Sequence, residues 1–145
     1  APLGAADPKG HKRSFFRLRP MERDEIAADN PSWLGPAGTV HMSVNDMLIY
    51  GRAHLKAARG ELPNFLSQQS SIRMQTPVSD DYGLGWVIQK DTIWHDGSNT
   101  MWYALLMIDP ISDTVLAVTQ NAMIRTYQID ELARGIVQNS RRSLT

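Results

Sequence analysis

The sequence predicts an α+β fold, an antiparallel sheet of about four strands covered by helices. Three observations carry this reading. Two segments, one beginning near residue 43 and one near residue 126, repeat apolar residues at helical spacing. Between them lie short runs rich in branched and aromatic residues, broken by turn chemistry. Helices, then strands, then a helix is the order of an α+β chain.

Taken in order, residues 1–42 hold Pro2, Pro8, Pro20, Pro31 and Pro36 with Gly4, Gly10, Gly35 and Gly38, and lack sustained periodicity. They read as a loop-rich lead-in that lines a site, since a structureless stretch of more than about 15 residues is otherwise uncommon. Helices are expected over 43–76. Ser43 can cap a first turn, with Asp46 as its capping-box partner, and Val44, Met47, Leu48, Gly51, Leu55 and Ala58 form one stripe to about residue 59. Gly51 sits on the stripe, where a missing side chain lets another backbone approach. Ser67 caps a shorter helix to about Met74, stopped by Thr76-Pro77. Strands follow over 82–121: Tyr82–Gln89, a short extra strand Thr92–Gly97, Met101–Ile108 and, after the turn 109–113, Thr114–Thr119. Trp86, Trp94, Met107 and Tyr82 are expected in the core. A closing helix over 126–140 places Ile129, Leu132, Ala133, Ile136 and Val137 on one face. At 145 residues the chain has surface enough to bury for one compact domain.

Composition excludes several functions. The 15 basic and 15 acidic residues balance, which removes the electrostatic reason to expect nucleic acid or an anionic membrane as partner. The basic run from Lys9 to Arg23, with Lys12, Arg13, Arg17 and Arg19, is offset by Glu22, Asp24 and Glu25 and reads as solvated surface. There is no cysteine, hence no disulfide, thiolate metal site or cysteine nucleophile. No apolar run reaches the roughly 20 residues of a membrane span. His11, His41, His54 and His95 lack the spacing of metal pairs, and no phosphate or dinucleotide loop is present, so neither metal nor cofactor is expected.

One stretch remains, Trp94-His95-Asp96-Gly97-Ser98-Asn99-Thr100-Met101-Trp102-Tyr103. Imidazole moves protons near neutral pH, and an amide beside Gly97 can meet a substrate oxygen unobstructed. Taken alone, the stretch reads better as ordinary turn chemistry. His95-Asp96-Gly97 resembles the late Lys-Thr-Gly or His-x-Gly triplet of the β-lactamase-related serine hydrolases, which include class C β-lactamases, D-alanyl-D-alanine carboxypeptidases and family VIII-type esterases. Pro8-Lys9-Gly10-His11, Pro36-Ala37-Gly38-Thr39-Val40-His41-Met42-Ser43, Tyr82-Gly83-Leu84-Gly85-Trp86 and the strands ending at Pro110 and Asn121 resemble other segments of that family, in its order.

The resemblance implies that His95 helps bind substrate and shape the electrostatics, that Gly97 leaves room, and that the Ser98 amide is one of two oxyanion-hole donors. Asp96, Asn99 and Trp102 are candidate substrate contacts. It also implies the C-terminal part of a hydrolase that opens a β-lactam, a D-Ala peptide or an ester through an acyl-enzyme. Many relatives act outside the cytoplasm, so a periplasmic or secreted location is expected. The departure is plain: Ser-x-x-Lys and Tyr-x-Asn or Tyr-x-Ser are absent. Ser14-Phe15-Phe16-Arg17 and Ser70-Ser71-Ile72-Arg73 come nearest, but arginine cannot act as base. Ser43-Val44-Asn45 matches a Ser-x-Asn motif and reads better as a helix cap. The chain alone is therefore expected to be inactive, with the missing N-terminal part or a second copy pairing with the strand 114–119. The alternative is a non-catalytic binding module from the same family. A self-sufficient site of His95 and Asp96 is disfavoured, because neighbours on a strand face opposite ways.

Overall fold

A computed structural model describes residues 8–22, 24–26, 28–99 and 101–144. Pro2, Gly4, Arg23 and Thr100, used above, lie outside them. In chain order the elements are a hairpin of β1 (His11–Ser14) and β2 (Arg17–Pro20), a 3-10 turn Ser32–Leu34 running into a single helical turn α1 (Gly35–Gly38), helices α2 (Val44–Ala58) and α3 (Gln68–Met74), strands β3 (Val87–Gln89), β4 (Thr92–Asn99), β5 (Trp102–Asp109) and β6 (Thr114–Gln120), and helix α4 (Thr126–Arg142).

The main sheet runs β3-β4-β5-β6, with every neighbouring pair antiparallel. Its alternation sorts side chains onto two faces. Ile93, Leu106 and Ile108 pack with Trp86 and with Met47 and Leu55 of α2; Tyr103, Leu105 and Met107 pack with Ala133 and Val137 of α4. The fold is α+β, with one helix on each face of the sheet.

Ser43 caps α2 as a full capping box, its hydroxyl accepting from the Asp46 amide at 3.1 Å while the Asp46 carboxylate receives the Ser43 amide. Gly51 faces the sheet so closely that a Cβ there would lie 2.6 Å from Val115 Cγ1. Ser67 caps α3 through the Ser70 amide.

Two buried polar side chains fix the layers. Asp109, with no solvent exposure, accepts from Arg141 Nε at 2.9 Å and Nη2 at 2.5 Å, and from the Ser112 amide at 3.2 Å. Burial alone would raise its pKa; the guanidinium and the Ser112 bonds outweigh that and hold it below the ordinary 3.8. Arg141 also reaches the Lys90 carbonyl and the Thr92 hydroxyl, so one side chain ties the end of α4 to two strand junctions. His54 is buried among Tyr50, Phe65 and Trp86, with ring centroids 4.5, 5.2 and 5.1 Å away. Neither of its nitrogens has a hydrogen-bond partner among the described residues, and desolvation lowers its pKa.

Several expectations need correction. Residues 11–20 form a hairpin where an irregular lead-in was expected; its four-residue strands are too polar and too exposed to produce a periodic signal. Within Tyr82–Gln89 only Val87–Gln89 is strand, because Gly85 at φ 83° turns the chain and Gly83 and Leu84 bond to Trp86 and to the end of α3. The short strand expected over Thr92–Gly97 extends to Asn99 and is central, paired on both sides along its first half. Tyr82 is 39% exposed, outside the core. The outer side of β6 pairs with no strand among the described residues. Instead, the His11 amide donates to the Asn121 carbonyl at 2.7 Å, just past the end of β6.

Candidate active-site groove

The turn between β3 and β4 places Lys90 and Asp91 at φ 50° and 65°, the backbone of a two-residue I′ hairpin. Such a turn makes Gln89 and Thr92 a hydrogen-bonded pair, and from there the backbone groups of β4 alternate in direction. Thr92 and Trp94 point to β3; Ile93, His95 and Gly97 point to β5. Pairing with β3 ends at Trp94. Asp96 and Ser98, next to point that way, face an edge where no described strand sits. The Ser98 amide is thus an outward donor at the end of β4, beside Gly97, where an added Cβ would meet no atom within 4 Å.

This end of β4 borders a groove of about 760 Å³. Gly97, Ser98, Asn99, Trp102, Ala104 and Thr119 form its sheet side, with Ala37–Ser43 apart from Thr39, Val44 and Met47 opposite and Pro8 at the rim. The opposite wall is shaped by short-range bonds. Asn30 Nδ2 donates to the Gly38 carbonyl at 3.2 Å, the Thr39 hydroxyl donates to Gly35 at 2.9 Å, and His41 Nδ1 lies 2.7 Å from the Thr39 carbonyl. The lining is mostly apolar, with a few polar groups on both walls, among them Ser98 and Asn99 on one and His41 and Ser43 on the other, the usual make-up of a small-molecule site.

The candidate residues divide. Gly97, Ser98, Asn99 and Trp102 line the groove. Asn99 Nδ2 donates to Asp29 Oδ1, while its buried Oδ1 has no partner among the described residues. His95 shares the Gly97 face but stands outside the lining, exposed, with Nε2 2.9 Å from the Tyr82 hydroxyl. Asp96 turns to the opposite face, beside Tyr103, whose hydroxyl donates to Asp130. Burial first, and then these two carboxylates, push the Tyr103 hydroxyl far above its ordinary pKa. The structure therefore does not bring Asp96 to the groove, and His95 and Asp96 have separate surroundings. Ser43 lines the groove, but its hydroxyl is engaged as the α2 cap.

The groove collects Pro8, the Pro36–Ser43 segment and the Gly97–Asn99 end of the triplet strand, three stretches far apart in sequence. A family model described as Beta-lactamase matches residues 2–138. The chain belongs to the β-lactamase family. No curated protein matches the sequence. For a member of the β-lactamase family, the expectation that residues 1–42 line a site covers Val40 and Met42 without singling them out, while Met47 and Thr119 were not expected as lining. As isolated apolar residues and one threonine they carry no chemical signature, and only their position against β4 sets them apart.

Proposed function

We propose that this chain forms one wall of a serine hydrolase site that acts on amide or ester bonds through an acyl-enzyme, with the Ser-x-x-Lys nucleophile supplied by sequence outside these 145 residues. The unpaired edge of β4 carries this reading. The outward Ser98 amide, next to the open space at Gly97 and the groove, would donate to an oxyanion, with the nucleophile's own amide as the second donor. His95, steadied by Tyr82, would meet the substrate's polar end, and Trp102 its apolar part. The catalytic residues on this reading are His95, Gly97 and Ser98. Asp96, on the opposite face beside Tyr103 and outside the groove lining, is not a substrate contact on this reading.

The test joins the chain to the upstream sequence of its gene and follows hydrolysis of a p-nitrophenyl ester. Ser98→Pro removes one donor that serves no ladder bond, and proline is tolerated at a strand edge. Turnover should fall about 10²–10³-fold with the thermal midpoint little changed. Unchanged turnover in Ser98→Pro would refute the oxyanion role. The 145 residues alone should give no turnover. The absence of both nucleophile motifs from the chain favours a second reading, a non-catalytic binding module. That reading stands if the upstream sequence also lacks Ser-x-x-Lys.

A further inference from the structure

The tip of the β1–β2 hairpin is made of Phe15 and Phe16, 92% and 97% exposed. Phe15 has φ 50°, whereas Phe16 is not in the left-handed region. A positive φ at the first loop position alone is the II′ pattern, which normally takes glycine there, and a bulky side chain in that conformation is strained. Neither ring packs on the described residues, which therefore give no account of two aromatic residues at this point.

The strands behind the tip are cationic. Lys12 stands opposite Arg19 and Ser14 opposite Arg17, so Lys12, Arg17 and Arg19 share one face, with Arg13 and a 43% exposed Leu18 on the other. Like charges directly opposite repel. Glu25 answers one of them through its 2.9 Å ion pair with Lys12, while Arg13 and Arg17 have no carboxylate partner among the described residues. Arg17 adjoins the tip, and Lys12 and Arg19 stand about 7 Å further back along the hairpin.

We propose that this hairpin is a peripheral anchor for an anionic bilayer surface. Phe15 and Phe16 enter the boundary between headgroups and acyl chains, and Arg13, Arg17 and Arg19 meet lipid phosphates behind them. Depth decides between occupants. An apolar protein pocket would take the rings but strip water from the surrounding guanidinium groups, whereas a headgroup layer receives rings and cations at different depths, as interfacial segments require. Because the chain as a whole is neutral, attachment is local and reversible, and it weakens with salt. No hairpin residue lines the groove.

The test is co-sedimentation of the chain with phosphatidylglycerol/phosphatidylcholine vesicles and with phosphatidylcholine vesicles alone. The chain should partition at least about tenfold more strongly to the anionic vesicles, and Phe15→Asn with Phe16→Ser should lose about tenfold of that binding. The double variant relieves the strained position, so its thermal midpoint should equal or exceed that of the parent, which separates lost binding from lost folding. Equal binding by parent and variant, or no preference for anionic vesicles, overturns the proposal. So does a parent dimer that the variant converts to monomer without vesicle binding, which would assign the tip to a second copy.

Discussion

A carboxylate with no solvent exposure is stable only if its charge is answered, and Asp109 depends on Arg141 for this. Arg141→Met should cost about 3 kcal/mol in chemical denaturation, because it leaves a buried charge without its partner. The pH dependence gives an independent check. The folded pKa of Asp109 lies below 3.8, so its contribution is complete above that value and drains as pH falls through the folded pKa. In Arg141→Met the Ser112 bonds remain but the guanidinium no longer offsets burial, so the Asp109 pKa rises and the deficit should narrow on acidification. His54 acts earlier on the pH scale. Its folded pKa lies below 6.5, so the neutral ring stabilises fully above pH 6.5 and loses that contribution as pH falls below it. His54→Phe, which retains an aromatic ring against Tyr50, Phe65 and Trp86, should flatten the fall in thermal midpoint between about pH 7 and pH 5.5.

At the scale of elements, α2 carries two opposed demands. Alanine at position 51 favours the helix by about 1 kcal/mol, yet its Cβ would press on Val115 Cγ1 and Leu106 Cδ1. Gly51→Ala should therefore destabilise the chain by about 1 kcal/mol net, read from urea denaturation, because overpacking a fitted contact outweighs propensity. This approach was legible in the sequence, since Gly51 interrupts an apolar stripe and Ser43 and Asp46 announce where the helix starts. The α4 stripe was legible too, but wider than the face it buries: Ala133 and Val137 are buried, while Leu132 and Ile136 are 67% and 40% exposed. The β1–β2 hairpin was not legible, because strands without a buried face carry no alternation for a reader to find. The groove was legible on one side only. His95-Asp96-Gly97 marks a strand, but which backbone amide points outward depends on the I′ turn at Lys90-Asp91, where Asp91 tolerates positive φ but Lys90 gives no sign of it and no glycine follows.

For the whole molecule, the exposed part of the α4 stripe and the unpaired side of β6 are apolar or hydrogen-bonding surface without a described partner. Alternation from the I′ turn through β5 makes Val115, Ala117 and Thr119 present their backbone groups outward. The isolated chain should associate at high concentration through this edge. Ala117→Pro, which removes an outward amide and no ladder bond, should keep it monomeric in sedimentation velocity. The order β3-β4-β5-β6 is also a meander in which every strand pairs with its neighbour in sequence. Contacts so local close short loops, so the sheet belongs to the class that folds quickly. The bond from His11 to Asn121 closes a loop of more than a hundred residues, a cost in chain entropy that the local strand pairs do not bear. It should form last and open first, and in hydrogen exchange the His11 amide should lose protection well before Leu106. Pro8 lies on that same return segment, so the rim of the groove would come and go while the sheet beneath it stays shut.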